Sequence, residues 1–383
     1  MREAIETLGA SRIREVANAG IGRDDVLAFW FGESDEVTPE PVRQAAAESL
    51  ARGETFYAHN LGLPELRDAV AAYMSSLHAP VSTNRVAITS SGVTALMLAA
   101  QLLLDPGDEV VAVVPVWPNL TAQPAILGAR VTEVPLVPRA GAWALDLDRL
   151  LAAVTAATRM LLVNAPNNPT GWTLTRDEQR ALLEHCRRTG TWIVADEVYE
   201  RLWFGPGAAA PSFLDLAGPE DRVIVVHSFS KSFLMTGWRL GWLVLPGSQL
   251  DAMGKLIEFN SSCAPVFVQR GGLAALKDAA QTVPDLTRRM RACRDRLVDG
   301  LQRLPGVELA RPLGGMYAFF RLPGLSDDSL ACAKQLVADH GLGLAPGAAF
   351  GPAAEGWLRW CFASRDPGRL DLGLARLAGA LRI

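Results

Sequence analysis

With 383 residues, 49% of them hydrophobic, the chain exceeds what one core usually serves and has enough apolar side chains for two domains. A formal net charge of −4 offers no basic surplus, which argues against a nucleic-acid binder that relies on neutralising phosphates. The five cysteines (Cys186, Cys263, Cys293, Cys332, Cys361) lack any Cys-x-x-Cys pair, so neither a disulfide framework nor a zinc knuckle is indicated and reduced thiols are expected.

The first ten residues carry Glu3 and Glu6 where a secretory signal needs an apolar run, and no later stretch offers about 18 uninterrupted apolar residues for a membrane span. A cytoplasmic, membrane-free protein is expected. Residues 1–40 lack a core of their own and are expected to pack on a C-terminal domain or on a partner chain. Residues 41–282 read as a large domain. Within it the apolar runs Val86–Ile88, Glu109–Val114, Arg130–Val134, Met160–Asn164, Trp192–Ala195, Val223–His227 and Leu240–Leu245 predict strands. They alternate with helical patterns such as Val93, Leu96, Met97, Ala100, Leu103 and Leu104, the signature of an α/β fold whose mostly parallel sheet is sandwiched by helices. Thr175-Arg176-Asp177-Glu178 predicts a capping box that opens a helix ending at Gly190. Residues 283–383 read as a smaller α+β domain: a basic amphipathic helix over Leu286–Leu304, the stretch Gly314–Phe320, a helix near Leu330–His340, a strand at Trp357–Phe362 and a last helix from Gly368.

In open α/β sheets ligands gather beyond the carboxyl ends of the strands, so the residues just after each predicted strand are the candidates. Thr89-Ser90-Ser91-Gly92 leads straight into a helix and suits either an anion cradle or an ordinary N-cap. Trp117 sits in the next loop, where an aromatic face serves a flat ring or a core. The loop Asn164–Gly171 holds more asparagines than a plain turn needs. Asp196 ends an apolar strand, a costly place for a carboxylate unless a salt bridge, a cap or a protonated ring nitrogen partners it. The sixth strand leads to Ser228-Phe229-Ser230-Lys231, with Arg239 eight residues on. A lysine amine condenses with a carbonyl, and a serine with a fixed cation beside it suits the phosphate of pyridoxal phosphate. No Gly-x-Gly-x-x-Gly, P-loop or His-Glu-x-x-His occurs, and the five histidines lack ligand spacing, so no dinucleotide and no metal is expected.

Gly32-Glu33-Ser34-Asp35 with Thr38-Pro39, Tyr57, Gly62, Leu66-Arg67, Ser91-Gly92, Trp117, Asn168-Pro169-Thr170-Gly171, Asp196, Tyr199, Ser228-x-x-Lys231, Arg239 and Arg359 complete a pattern over nearly the whole chain. On these residues the chain resembles the class I/II aminotransferases, which are fold-type I enzymes dependent on pyridoxal phosphate. The resemblance implies a homodimer that acts on a small amino acid and a 2-oxo acid, with Lys231 in a Schiff base to the cofactor. It further implies Asp196 at the pyridine nitrogen, Asn168 and Tyr199 at the ring oxygen and Trp117 on the ring face. Ser91, Gly92, Ser228 and Arg239 would hold the phosphate, with Tyr57 reaching in from the neighbouring subunit. Arg359 would clamp the substrate α-carboxylate together with the Gly32 backbone and Asn168. By its residues alone Arg359 reads as half of a structural salt bridge. A β-lyase, cyclase or oxidase of the same fold shares the cofactor residues. For the donor, Ser90–Thr94 contains no cation, and Trp30 and Phe31 are expected to make the pocket apolar, favouring neutral or aromatic amino acids. Arg12, Arg14 and Arg270 are the candidates for a distal charge, and 2-oxoglutarate is the expected acceptor.

Overall fold

The computed structural model describes residues 2–139 and 141–381. Its centre is a seven-stranded sheet: β1 (Val86–Thr89), β2 (Glu109–Val114), β3 (Arg130–Pro135), β4 (Thr158–Asn164), β5 (Trp192–Asp196), β6 (Val223–Ser228) and β7 (Gly241–Val244). They lie in the order β1-β7-β6-β5-β4-β2-β3. All run the same way except β7, which is antiparallel to both of its neighbours.

The central strands are apolar on both faces because both are covered, as buried parallel sheets require. On one face Val111, Leu161, Ile193 and Val225 join a core with Leu66, Val70 and Met74 of helix Pro64–Leu77 and Leu182 and Leu183 of helix Arg176–Thr189. On the other, Ala112, Leu162, Val194 and Ile224 meet Leu96, Ala99 and Leu103 of helix Gly92–Leu103 and Met253 and Ile257 of helix Leu250–Ser261. The capping box forms as expected: Thr175 and Glu178 bond each other's amides, and Gly190 closes the helix at φ 76°.

The smaller unit is a four-stranded antiparallel sheet of Glu308–Leu309, Tyr317–Arg321, Leu358–Cys361 and Ala345–Pro346, in that order. Helices Ala279–Leu301, Ser329–His340 and Gly368–Ala380 belong to it. The first of these corrects the expected Leu286–Leu304: it starts seven residues earlier and runs through Pro284, because burial of Ala279, Val283 and Leu286 on the core offsets the donor that proline removes. The expected domain limit at 282/283 therefore lies inside one helix. Near the N-terminus, Leu27–Ala28 pairs in parallel with Leu342–Gly343, and helix Arg12–Gly20 buries Val16 and Ala17 beside helix Ser329–His340. Among the described residues no helix is long and apolar enough to cross a membrane, and the five cysteines are free.

Candidate active site

Five co-directed strands deliver their last residues, Thr89, Val114, Asn164, Asp196 and Ser228, to one edge of the sheet. Because β7 runs the other way, the residues before it reach this edge: Gly241 pairs with Ser228 and Thr89, which brings Arg239 alongside. A cavity of 430 Å³ opens there. Of the residues singled out from sequence, Gly92, Trp117, Asn168, Asp196, Tyr199, Ser228, Lys231 and Arg239 line it from the large unit. Arg359 lines it from the small sheet and Gly32 from the N-terminal segment.

One end of the cavity is a cup of donors. Ser91 caps helix Gly92–Leu103 through its hydroxyl, which accepts from the Thr94 amide at 3.0 Å, so it backs the cavity as the turn's cap and is not part of the wall. The first amides of that helix are the free ends that attract an anion. Opposite lie Ser228, whose hydroxyl donates to Ser230 Oγ at 2.8 Å, and Arg239, whose guanidinium donates to the Thr236 carbonyl at 2.6 Å. Arg239 has no carboxylate partner among the described residues. A Cβ at Gly241 would come within 2.6 Å of the Gly92 nitrogen, so glycine there lets strand and helix end close around the cup. Ser91 (φ 144°), Leu234 (φ 56°) and Arg239 (φ 55°) hold backbone conformations that side chains rarely adopt.

Lys231 lies deeper, its Nζ donating to the Gly32 carbonyl at 2.6 Å, and burial lowers its pKa to about 8. Asp196 is 3% exposed, and among the described residues its carboxylate accepts only from the Val198 amide, at 3.3 Å; burial pushes its pKa up to about 7, against the opposing pulls of that bond and of Lys231. The Asn164 amide donates to the Asp196 carbonyl at 3.0 Å and its oxygen accepts from the Asn168 backbone at 2.7 Å. Asn168 Oδ1 in turn accepts from Arg359 Nη1 at 2.9 Å. Arg359 is 2% exposed, donates through Nη2 to the Trp30 carbonyl and leaves Nε without a partner. It has no carboxylate within reach among the described residues, so the salt bridge its residue type suggests does not form. Tyr199 and Tyr317 share a hydrogen bond of 2.6 Å, and the Arg359 guanidinium stacks 4.4 Å from the Tyr317 ring centre. Burial and the neighbouring Tyr317 raise the Tyr199 pKa well above its ordinary value.

Tyr317 was not anticipated from sequence. A tyrosine in the apolar run Met316–Phe320 reads as core, and only the pairing of Tyr317 with Cys361, two residues along the strand from Arg359, reveals its place. It also dictates Gly32, since a Cβ there would lie 2.0 Å from the Tyr317 hydroxyl. Ser230, within 3.4 Å of Arg239, is a second addition.

The substrate-facing side departs from expectation at Trp30. Its ring turns into the small unit, filling space over Gly20 and Gly343 that any Cβ there would invade, so only Phe31 of the pair lines the cavity. Of the three candidate cations, Arg12 reaches the Ala348 carbonyl and Arg270 is bound by Glu54 and Glu65. Arg14 alone of them lines the cavity, its guanidinium 5.7 Å from the Phe31 ring centre and without a carboxylate partner among the described residues. Tyr57 does not line the cavity and is 89% exposed, beside Phe56 at 84%.

Behind the edge lies a second polar cluster. Ligand atoms of Glu197, Glu200 and His227 lie within 4.8 Å of one another, a spacing a metal would accept. The partners argue otherwise: Glu197 accepts from Ser212 Oγ and the Phe213 amide, and Glu200 binds His78 Nε2 at 2.9 Å. His78 Nδ1 meets Asp215 at 3.1 Å, and Asp215 also receives Arg176 at 2.9 Å. Burial alone would lower the His78 pKa, but its bonds to Asp215 and Glu200 carry it up to about 10. Burial pushes Glu197 up to about 8 and His227 down to about 4. This is a closed ion-pair network.

Residues 25–377 match the family model for class I and II aminotransferases. An aspartate aminotransferase of Musicola paradisiaca is 34% identical over 337 residues, covering 87% of this chain and 83% of that protein. An aromatic-amino-acid aminotransferase of Thermococcus litoralis is 30% identical over 369 residues, covering 95% and 94%. The structure of Thermus thermophilus aspartate aminotransferase with maleate superposes with a TM-score of 0.90 at 31% identity, covering 99% of each chain. The fold is that of the fold-type I enzymes, and the chain belongs to the class I and II aminotransferase family.

Proposed function

We propose that this enzyme uses pyridoxal phosphate, bound through Lys231, to move an amino group between a neutral or aromatic L-amino acid and a 2-oxo acid. The observation that carries the reading is a set of three groups on one cavity that form no ion pair among the described residues: a buried amine with a pKa of about 8, the buried Asp196 carboxylate and the buried Arg359 guanidinium. Buried charges need partners, and a cofactor with a ring nitrogen, an aldehyde and a phosphate, followed by an amino acid with an α-carboxylate, supplies one to each. The residues present fit that group. The helix end at Gly92, Ser228, Ser230 and Arg239 would hold its phosphate, Asp196 its ring nitrogen, Asn168 and Tyr199 its ring oxygen and Trp117 one face.

When bound, pyridoxal phosphate supplies an electron sink that weakens the bonds at the substrate α-carbon. Lys231 Nζ, part neutral near pH 8, would accept the α-proton and hand it to the cofactor instead of back to the α-carbon. Asp196, held in a dry site, favours a positive charge opposite its carboxylate. Arg359 orients the α-carboxylate, and Asn168 Oδ1 and the Trp30 carbonyl, each accepting from one terminal nitrogen, fix the plane of its guanidinium. The Tyr199–Tyr317 pair keeps its protons at all ordinary pH, so it serves as a donor to oxygen. Phe31, Ile13 and Leu96 give the outer pocket apolar walls, which supports neutral or aromatic donors. Arg14, free beside Phe31, is the group to meet the second carboxylate of an acceptor such as 2-oxoglutarate.

A homodimer completes the reading. The loop with Phe56 and Tyr57 is tied to helix Leu250–Ser261 by the Asn60 amide, which donates to the Gly254 carbonyl, and Phe259 on that helix is 88% exposed. Exposed aromatics of this size suit a second copy. The test is a panel of half-reactions that follows conversion of the cofactor from aldehyde to amine with each amino acid. Phenylalanine, leucine and methionine should surpass aspartate in rate over apparent affinity; a clear lead for aspartate overturns the donor assignment. Borohydride reduction and peptide mapping should place the pyridoxyl group on Lys231, and an adduct on Lys255 or Lys277 overturns the anchor.

A further inference from the structure

Arg201 follows two residues after Tyr199 and faces the opposite way, into a groove of 860 Å³ between helices Glu40–Ala51, Pro64–Leu77 and Val266–Lys277. The arginine is 6% exposed. Its Nε donates to the Ala208 carbonyl at 3.0 Å, Nη1 donates to the Tyr73 hydroxyl, and the guanidinium lies 5.4 Å from the Tyr73 ring centre. All these partners are neutral. No carboxylate forms an ion pair with it among the described residues, and Nη2 has no hydrogen-bond acceptor.

The network behind it does not cancel this charge. Glu200 feels Arg201, yet neither carboxylate of that network bonds it: Glu200 is held by His78, and Asp215 by His78 and the half-exposed Arg176. A buried guanidinium whose bonded partners are all neutral calls for an anion. Much of the groove wall is apolar, built from Ala45, Ala69, Ala72, Leu273 and Ala274; Glu48 also lines it but is paired with Arg52, and Lys277 has no carboxylate partner among the described residues. The other rim cations are already engaged, Arg52 by Glu54 and Arg270 by Glu54 and Glu65.

We infer that this groove is a second ligand site, separate from the first cavity, for a small organic monocarboxylate with an apolar body. The carboxylate pairs with Arg201 and is steered by Lys277, and the body covers the alanine and leucine wall. The size suits an arylalkyl or medium-chain acid. Helix Val266–Lys277 forms one bank, and the helix that begins at Ala279 continues from it into the small unit, so the ligand would bridge the junction of the two.

The probe is 4-phenylbutyrate, titrated calorimetrically into the pyridoxal phosphate-loaded enzyme with saturating 2-oxoglutarate present to fill the first cavity. One site per chain is expected. Its affinity should fall about tenfold or more when the acid is replaced by 4-phenylbutyramide, which keeps the body and removes the charge. Ala72→Trp, which fills the groove from an exposed helix position, should weaken binding by a similar factor, and Lys277→Glu by about threefold or more. Both variants should keep turnover within about twofold in the absence of the probe, and Lys277→Glu, being on the surface, carries the test should Ala72→Trp lose its fold. Absence of heat up to about 10 mM probe, equal binding of acid and amide, or affinity unchanged in the variants overturns the site. So does loss of binding when 2-oxoglutarate is added, which would assign the probe to the first cavity.

Discussion

The two ends of the main cavity are built on different terms. Its inner end is set by the sheet: Asp196 and Ser228 are the last residues of adjacent strands in fixed register, and Asn164, Asn168 and Arg359 follow in an unbroken chain of hydrogen bonds. Its outer end is set by the N-terminal segment, where Arg14 stands over Phe31 with no polar partner for its guanidinium among the described residues. Rigid strand ends place reacting groups within the tolerance chemistry requires, whereas a side chain free to pivot suits a pocket that must admit two different substrates in turn. Precision and latitude are thus separated by a few ångströms.

Removing the inner end should cost most. Lys231→Ala is expected to lower turnover about 10⁴-fold or more, since the proton at the α-carbon loses its acceptor, with circular dichroism unchanged. Asp196→Ala should follow, with kcat down about 10²- to 10³-fold and the fold retained, because burial makes that carboxylate a burden on the empty protein. Near-normal kcat in this variant would mean that another group serves the ring nitrogen.

The buried network behind the inner end offers a stability counterpart. His78→Gln leaves Glu200 and Asp215 short of a cation and should lower unfolding free energy by about 3–5 kcal/mol at pH 7, read by denaturant titration. The sign of its pH dependence follows from the raised His78 pKa. Its stabilisation is complete below pH 6.5 and is lost as pH rises through about 10. Glu197, raised to about 8, adds a decline in the same direction between its ordinary range and pH 8. The wild type should therefore weaken on alkalinisation, and His78→Gln should weaken less. A flat wild-type profile between pH 6.5 and 10 would refute the assignment.

The smallest effect is expected at the outer end. Arg14→Leu should raise KM for 2-oxoglutarate about tenfold or less and leave kcat/KM for phenylalanine within about twofold, since a pivoting surface cation contributes little beyond one charge-assisted bond. Equal losses for both would make Arg14 a structural element of the N-terminal helix.

The same contrast explains what the sequence could reveal. Strand ends announce themselves: an apolar run that stops at Asp196, or at Ser228 three residues before Lys231, marks a position before any coordinates exist, and helix ends do likewise at Thr175 and Gly190. The inner end was legible for that reason. Tyr317 was not, because its role depends on a strand pairing about 40 residues away, and period-two patterning treats an inward tyrosine as core. Trp30 was misjudged for the complementary reason. The chain bends at Phe31 just past the short strand Leu27–Ala28, and only the close fit of Trp30 over Gly20 and Gly343 discloses which of the two side chains is taken by the core.

The three unusual backbone positions at Ser91, Leu234 and Arg239 carry a last consequence. Each costs on the order of 1–3 kcal/mol and persists only because its surroundings enforce it. Donors that converge on one point repel one another until something negative arrives, so the cup resembles a spring held closed from outside. On the proposed reading of the cup as a phosphate site, inorganic phosphate is expected to act as a conformational ligand, favouring the folded chain over the unfolded one by mass action. Apo-state stability is therefore expected to read higher in phosphate than in a buffer without such an anion, by thermal unfolding at matched pH and ionic strength.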